Sequence, residues 1–231
     1  MKKLALYLPC CYPNEARFFE ILTLMDQYQV DVLELGVPVK DAHMDGAVIQ
    51  ESHKQVLSQG FNEEYFVEIL QRIKEAFSFQ IVLMTYKEGL ESYRLLHEKQ
   101  HLFDGLLCVD QALTVEDFPA PIQLYNEETS EDEMVKQLEN NRLFAYCMSG
   151  IGKTGSFEKV PTNYIDTIKR IRNYSSIPVY VGFGIKERED VSLVYQNGAD
   201  GAIIGSHFVK KVRDCTLQEI GAYIKELKSI S

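Results

Sequence analysis

Apolar side chains in this chain come in short runs that alternate with stretches of helical period from one end to the other. Eight runs have the length of strands: residues 4–8, 31–37, 80–86, 105–109, 121–125, 143–148, 178–182 and 201–205. Between them, apolar residues recur every three or four positions, the spacing that gathers them on one helix face. Residues 14–28 carry Phe18, Leu22 and Met25; 62–77 carry Phe66, Ile69, Leu70 and Ile73; 162–174 carry Ile165, Ile168 and Ile171. Residues 47–57 form a further helical run. Strand–helix alternation implies parallel strands joined by crossover helices. Eight repeats of it fit a closed (β/α)8 TIM barrel better than an open doubly wound sheet. No linker or composition shift divides residues 1–231, so a single α/β domain is expected. Ten residues lie between Asp110 and Pro121, which predicts a reduced crossover after the fourth strand, and no leading helix is expected before the first.

Composition narrows this further. At 231 residues the chain is lean for a barrel, against about 250 as the usual length. With 45% apolar and 25% charged residues it is an ordinary globular sequence. Its 34 acidic residues outweigh 24 basic ones, giving a formal charge of −10 without a Lys/Arg cluster, which argues against nucleic acid as a partner. The opening MKKLALYLPCCYPNEA has the basic and apolar start of a secretory signal, but its apolar run is short, holds a proline and lacks a small-x-small cleavage site. A first strand is the better reading. No run reaches the roughly 18 apolar residues a membrane span needs, so no membrane association and a cytoplasmic location are expected. Cys10, Cys11, Cys108, Cys147 and Cys215 are odd in number and lack C-x-x-C spacing, which predicts reduced thiols and no metal site. The acidic run at 126–133 reads as a solvated helix start.

The first segment with chemistry in it is Val30-Asp31-Val32-Leu33-Glu34-Leu35-Gly36-Val37-Pro38. Side chains alternate across a strand, so Val32, Glu34 and Gly36 share one face, and Leu33, Leu35 and Val37 share the other. The bulky face suits packing on outer helices, which turns Glu34 into the barrel near the strand's carboxyl end, where barrel active sites lie. A carboxyl there is costly to ionise and suited to proton transfer. The alternative is a Glu paired with a buried Lys or Arg as structural glue. Asp45-Gly46 follows immediately before the 47–57 run. Asp45 can cap that helix, face the same cavity, or do both. Two carboxylates in unlike surroundings can be driven to different protonation states.

Three later strand ends are rich in glycine: Ser149-Gly150-Ile151-Gly152-Lys153-Thr154-Gly155, then Gly182-Phe183-Gly184-Ile185, then Gly205-Ser206. The first lacks the spacing of a nucleotide P-loop. Glycine is common in turns, but in barrels the last loops and a short helix start often hold a phosphate through backbone N–H groups. Consecutive glycine ends therefore point to a small phosphorylated ligand.

Leu33-Glu34-Leu35-Gly36-Val37-Pro38 with Asp45-Gly46, Ile49 and Gly60 resembles the signature region of the tryptophan synthase alpha chain family. Tyr146 to Ser149 leading to Thr154-Gly155, then Gly182 to Ile185, then Asp200 to Ser206, match further blocks in the same order, so the resemblance runs from about Leu4 to Lys210. It implies a barrel lyase that cleaves indole-3-glycerol phosphate to indole and glyceraldehyde 3-phosphate by a retro-aldol reaction in tryptophan biosynthesis. By position, it makes Glu34 the proton-transfer residue, Asp45 the partner of the indole N–H, and Tyr146 a site tyrosine beside Glu34. It assigns Gly155, Gly184, Gly205 and Ser206 to the phosphate, Thr154 to a loop that orders with ligand, and Tyr86 and Phe183 to apolar walls around the indole. It implies no metal and no cofactor in this chain, and a beta-chain partner carrying pyridoxal phosphate in an αββα assembly.

The chain also departs from the family. Where the family has P-F-S-D-P-x-A-D-G-P, it reads Pro38-Val39-Lys40-Asp41-Ala42-His43-Met44-Asp45-Gly46-Ala47. The aspartates survive, but the Phe, the Ser and both later prolines are gone, which predicts a more flexible loop. Lys40 and His43 enter as polar groups, read as solvated. Lys87-Glu88-Gly89-Leu90 enters the next helix directly where the family has a longer loop, and Gly150 stands where the family often has arginine. Two other readings stay open: an inactive alpha-like subunit that binds and regulates a beta chain, and another phosphate-binding barrel such as an isomerase.

Overall fold

In the computed structural model, which describes residues 1–96, 99–150, 152 and 160–230, the eight runs are eight parallel strands of one sheet. They are β1 (Lys3–Pro9), β2 (Val32–Gly36), β3 (Gln80–Thr85), β4 (Gly105–Cys108), β5 (Leu124–Tyr125), β6 (Ala145–Met148), β7 (Val179–Gly182) and β8 (Gly201–Ile204). The spatial order is β4-β3-β2-β1-β8-β7-β6-β5. The two edges meet through a single parallel bridge between Leu106 and Pro121, where Ile122 N–H donates to the Leu106 carbonyl at 2.9 Å.

Alternation along the strands builds two layers. Leu33, Leu35, Ile81, Leu83, Val179 and Val181 face outward into the core beneath the helices, whereas Ala5, Val32, Val82, Leu107, Ile122, Phe144, Tyr180 and Ile203 fill the interior. Glycines make room for interior tyrosines. A Cβ at Gly36 would lie 2.3 Å from Tyr7 Oη, and one at Gly182 would lie 2.4 Å from Tyr146 Oη. Gly182 therefore clears space for a ring across the strand, a packing role that its place in a glycine-rich end did not suggest.

Outside the sheet run α1 (Glu15–Gln27), α2 (Ala47–Ser58), α3 (Glu63–Ala76), α4 (Lys87–Ser92), α5 (Glu131–Asn140), α6 (Tyr164–Tyr174), α7 (Arg188–Gln196), α8 (Ser206–Asp214) and α9 (Leu217–Lys228). Local caps set several starts: the side chains of Asn14, Asn62, Ser130 and Thr216 each accept a first-turn N–H. The acidic run thus ends in α5, with Ser130 as its cap.

The missing crossover after β4 is replaced by one turn. Asp117 accepts from both the Thr114 backbone N–H and its hydroxyl at 2.8 Å, and the turn seats Leu113 and Phe118, each 2% exposed. The Phe118 ring stacks on Phe103 at 5.0 Å between centroids. One stacked pair thus covers barrel surface that a helix would otherwise bury.

Three strands fall two residues or more short of the apolar runs, and local chemistry explains each. β2 starts one residue late, after Asp31, whose carboxylate accepts from Lys3 and Lys228 and from the Leu4 N–H. Leu143 has φ +54°, outside strand geometry, so β6 starts at Ala145. Pro121 has no N–H to give to a ladder, and β5 is reduced to two residues.

Candidate active site

Glu34 points from β2 into the barrel and is 2% exposed; Asp45, in the loop before α2, is 3% exposed. One Glu34 oxygen, Oε1, is buried without a hydrogen-bond partner. Among the described residues no Lys or Arg pairs with Glu34, the pairing that the structural-glue reading calls for. Burial first, and the nearby charge of Asp45 second, push the Glu34 carboxyl up to about 8. At neutral pH it holds its proton and can act as an acid.

Asp45 is positioned from three directions. The Tyr86 hydroxyl donates to Asp45 Oδ2 at 2.7 Å. The side-chain amide of Gln50 donates to the Asp45 and Ala42 carbonyls at 2.9 and 3.2 Å. The N-cap of α2 is Gly46, one residue later. Tyr86 is thus more than the apolar wall that the resemblance implies, because its phenol holds the aspartate. Burial and Asp45 drive that phenol well above its ordinary range, so it remains a donor.

The loop at 39–47, without the family's prolines, is tied by hydrogen bonds to neighbouring elements. Glu88 of α4 accepts the Lys40 and Asp41 N–H groups at 3.1 and 3.3 Å. The Tyr93 hydroxyl donates to the Pro38 carbonyl at 2.8 Å, and Val39 N–H donates to His53 Nδ1 at 3.3 Å. The two departures from the family pattern, the loop and the abrupt entry into α4, therefore contact each other. Lys40 and His43 are exposed, with the His43 ring 5.2 Å from Tyr86.

Two cavities flank Phe183. A narrow apolar slot of about 40 Å³ is lined by Met84, Tyr86, Leu124, Met148 and Phe183, with Asp45 at its side. A larger cavity of about 390 Å³ gathers Gly184, Gly205 and Ser206 with Lys186, His207 and Lys210. A Cβ on Gly205 would meet nothing within 4 Å, leaving backbone open to a ligand at the start of α8, where the first N–H groups of a helix lack intrahelical partners. Gly184 takes φ +76°, a conformation that favours glycine. His207 Nε2 lies 3.1 Å from Glu187 Oε1, while burial holds its ring below the usual histidine range. Tyr146 lines the larger cavity and stands edge-on to Phe183 at 6.3 Å. Burial and then Glu34 push its phenol well above the usual range.

The structure thus brings together Glu34, Asp45, Tyr86, Tyr146, Phe183, Gly184, Gly205 and Ser206. Thr154 and Gly155 lie outside the described residues. Ser149, expected on the anion side, instead donates its hydroxyl to the Phe183 carbonyl at 2.6 Å and supports that residue's φ of +74°. Sequence reasoning missed Lys186, Lys210 and His207, although Lys210 falls one helical turn after Ser206. It also missed Tyr7 and His53, whose Oη and Nε2 are 3.0 Å apart; His53 is a polar residue on the buried stripe of α2. Among the described residues, no three His, Cys, Asp or Glu side chains are grouped to hold a metal ion.

Residues 1–230 match the family model described as tryptophan synthase alpha chain. The tryptophan synthase alpha chain of Alkaliphilus metalliredigens is 30% identical over 225 residues, covering 91% of this chain and 84% of the relative. That of Pyrococcus furiosus is 31% identical, covering 88% and 87%. A solved chain from work on mutual activation of the Pyrococcus furiosus tryptophan synthase a2b2 complex superposes with a TM-score of 0.86 at 28% identity, over all of both chains.

Proposed function

Because the chain belongs to the tryptophan synthase alpha chain family, a family of lyases that cleave indole-3-glycerol phosphate, we propose that Glu34, Asp45 and Tyr146 carry that cleavage here. The observation behind this reading is the buried, proton-holding Glu34, its Oε1 unpartnered, near Asp45, which lines an apolar slot that shares Phe183 with a cationic cavity.

The indole enters the slot. Met84 and Met148 are unbranched and can shift to widen it, while Tyr86 and Phe183 wall the ring. The phosphate sits over Gly184, Gly205 and Ser206, neutralised by Lys186 and Lys210, with Gly155 assigned to the phosphate as well and Thr154 as the residue that orders with ligand. Glu34 gives its proton to the ring carbon that bears the glycerol phosphate, and positive charge develops on the ring nitrogen. Asp45 accepts the ring N–H and stabilises that charge. The Glu34 carboxylate just formed then takes the proton of the adjacent glycerol hydroxyl. The carbon–carbon bond breaks, its electrons return to the ring, and the hydroxyl carbon becomes an aldehyde. Glu34 ends the cycle protonated. Tyr146, held as a phenol, donates near Glu34 without ionising.

The reading extends to residues 1–231 as one barrel domain acting in the cytoplasm without a cofactor of its own, beside a beta chain that carries pyridoxal phosphate. Among the described residues, no helix is long and apolar enough to cross a membrane. The loop at 39–47 and α4 form the partner-facing edge, and their mutual hydrogen bonds keep Asp45 in place, which favours an active subunit over a purely regulatory one. Purified protein with indole-3-glycerol phosphate, scored for indole release with and without a cognate beta chain, tests this. Release is expected. Ligand binding without release in both conditions would overturn the activity, and failure to co-purify with the beta chain would overturn the partnership.

A further inference from the structure

The loop that carries Asp45 is held by the helix it leads into. The N-cap of α2 is Gly46, which has no side chain to cap with, and the helix reaches back over the loop instead. Gln50 and His53 stand three residues apart, as neighbours on the helix surface. Gln50 grips the Asp45 end, donating to the Asp45 and Ala42 carbonyls. His53, 2% exposed, grips the other end, where Val39 N–H donates to its Nδ1 at 3.3 Å. Its far nitrogen, Nε2, lies 3.0 Å from the Tyr7 hydroxyl of β1. Tyr7 reaches that far by crossing over Gly36, where a Cβ would lie 2.3 Å from the phenol oxygen.

These two contacts fix the tautomer of the ring. A ring nitrogen that accepts an N–H carries no proton, so the neutral imidazole bears its proton on Nε2 and donates it to Tyr7 Oη. Burial pushes His53 down to about 4, which keeps the ring neutral at neutral pH. Val39 connects this grip to Asp45. Its side chain is buried with Ala42 and Tyr86 in one small apolar cluster. The Ala42 carbonyl accepts the Asp45 N–H at 3.0 Å, and the Tyr86 hydroxyl donates to Asp45 Oδ2 at 2.7 Å. Each step from His53 to Asp45 is thus a hydrogen bond or a packed side chain. Glu88 holds only the exposed stretch between, at the Lys40 and Asp41 N–H groups.

We propose that His53 is a positioning residue: an imidazole protonated on Nε2 and anchored by Tyr7, it seats Val39 and thereby fixes Asp45 where the indole N–H is received. This rests on the reading of Asp45 as the acceptor of that N–H. His53 touches no reacting atom and acts only through the loop. With Gln50 it makes α2 a two-point clamp on the segment that carries the aspartate.

The test begins with nitrogen-15 NMR of the full wild-type chain, the His53 ring signals being assigned by their loss in His53→Asn. The tautomer protonated on Nε2 is expected; a ring protonated on Nδ1 cannot accept from Val39 and overturns the proposal. Amide hydrogen exchange then reads the loop. In His53→Leu the Val39 and Asp45 amides are expected to exchange about tenfold faster, relative to those of β2, than in wild type, the effect of losing one hydrogen bond. His53→Asn places a carbonyl oxygen where Nδ1 stands and should restore slow exchange. His53→Gln, which reaches only the Nε2 position, should not. The kcat for indole release should follow the same order, falling about tenfold in His53→Leu and recovering in His53→Asn. Faster exchange confined to Val39 overturns the proposal, as does an undiminished kcat in a His53→Leu chain whose loop exchanges faster. Should His53→Leu fail to fold, the tautomer and the comparison of His53→Asn with His53→Gln carry the same test. The NMR and exchange measurements need no turnover, so a chain that releases no indole refutes the proposed function while leaving the grip of His53 on the loop separately measurable.

Discussion

Glu34 keeps its proton because ionising it would place a charge in a dry cavity already facing Asp45. The same arrangement has a cost in stability. A carboxyl whose folded-state value is raised to about 8 binds more protons in the folded chain than in the unfolded one between its ordinary acidic range and that value. Its destabilising effect is therefore absent at low pH, grows as pH rises through that window, and is complete above it. Glu34→Gln should accordingly raise the unfolding free energy by a few kcal/mol at most near pH 9, and by almost nothing near pH 4. Denaturant titrations at the two pH values check the sign. At Asp45, Tyr86→Phe removes the hydroxyl that donates to Oδ2 and should lower kcat by about tenfold with little change in fold. Glu34 was legible in the sequence because a carboxylate on the small-residue face of an apolar strand has few places to go. Tyr7 and His53 were not, because their contact joins β1 to α2, elements distant in the chain.

At the scale of elements, α4 is the piece whose placement decides the loop. Gly89 lets it settle on β3: a Cβ there would lie 2.0 Å from Thr85 Oγ1. That closeness brings Glu88 to the Lys40 and Asp41 N–H groups. Gly89→Ala should therefore cost about 1–3 kcal/mol and also free the loop at 39–47, seen as faster amide exchange there than in β2. Unchanged exchange with reduced stability would separate packing from loop control. The sequence predicted a looser loop because it counted lost prolines, which act locally. The replacing hydrogen bonds come from Glu88 and His53, residues distant in the chain and so invisible to a local count. The glycine-rich strand ends show the same division. Gly184 and Gly205 do face the cationic cavity, whereas Gly182 serves Tyr146 and Ser149 serves Phe183.

For the whole molecule, the eight-fold strand rhythm was plain from periodicity because the outward faces of the strands are almost wholly apolar. What periodicity could not reveal was how the short connection between β4 and β5 is tolerated. It rests on the Phe103–Phe118 stack and one bridge at Leu106. The closure is thus the thinnest part of the barrel, and Phe118→Ala should cost about 3–5 kcal/mol, as loss of a buried aromatic ring does, measured by equilibrium unfolding. The larger cavity, built mainly from the ends of β7 and β8, lies away from that seam, and Glu34 and Asp45 come from β2 and the loop after it, which lets the outer layer be trimmed while both carboxyls stay in place. Glu34 as the acid and then the base of the cleavage is tested by comparing indole release by wild type and Glu34→Gln, alongside the dissociation constant for indole-3-glycerol phosphate. In Glu34→Gln kcat is expected to fall by about a thousandfold or more while substrate still binds within a few-fold of wild type. Near-normal turnover by Glu34→Gln would contradict it.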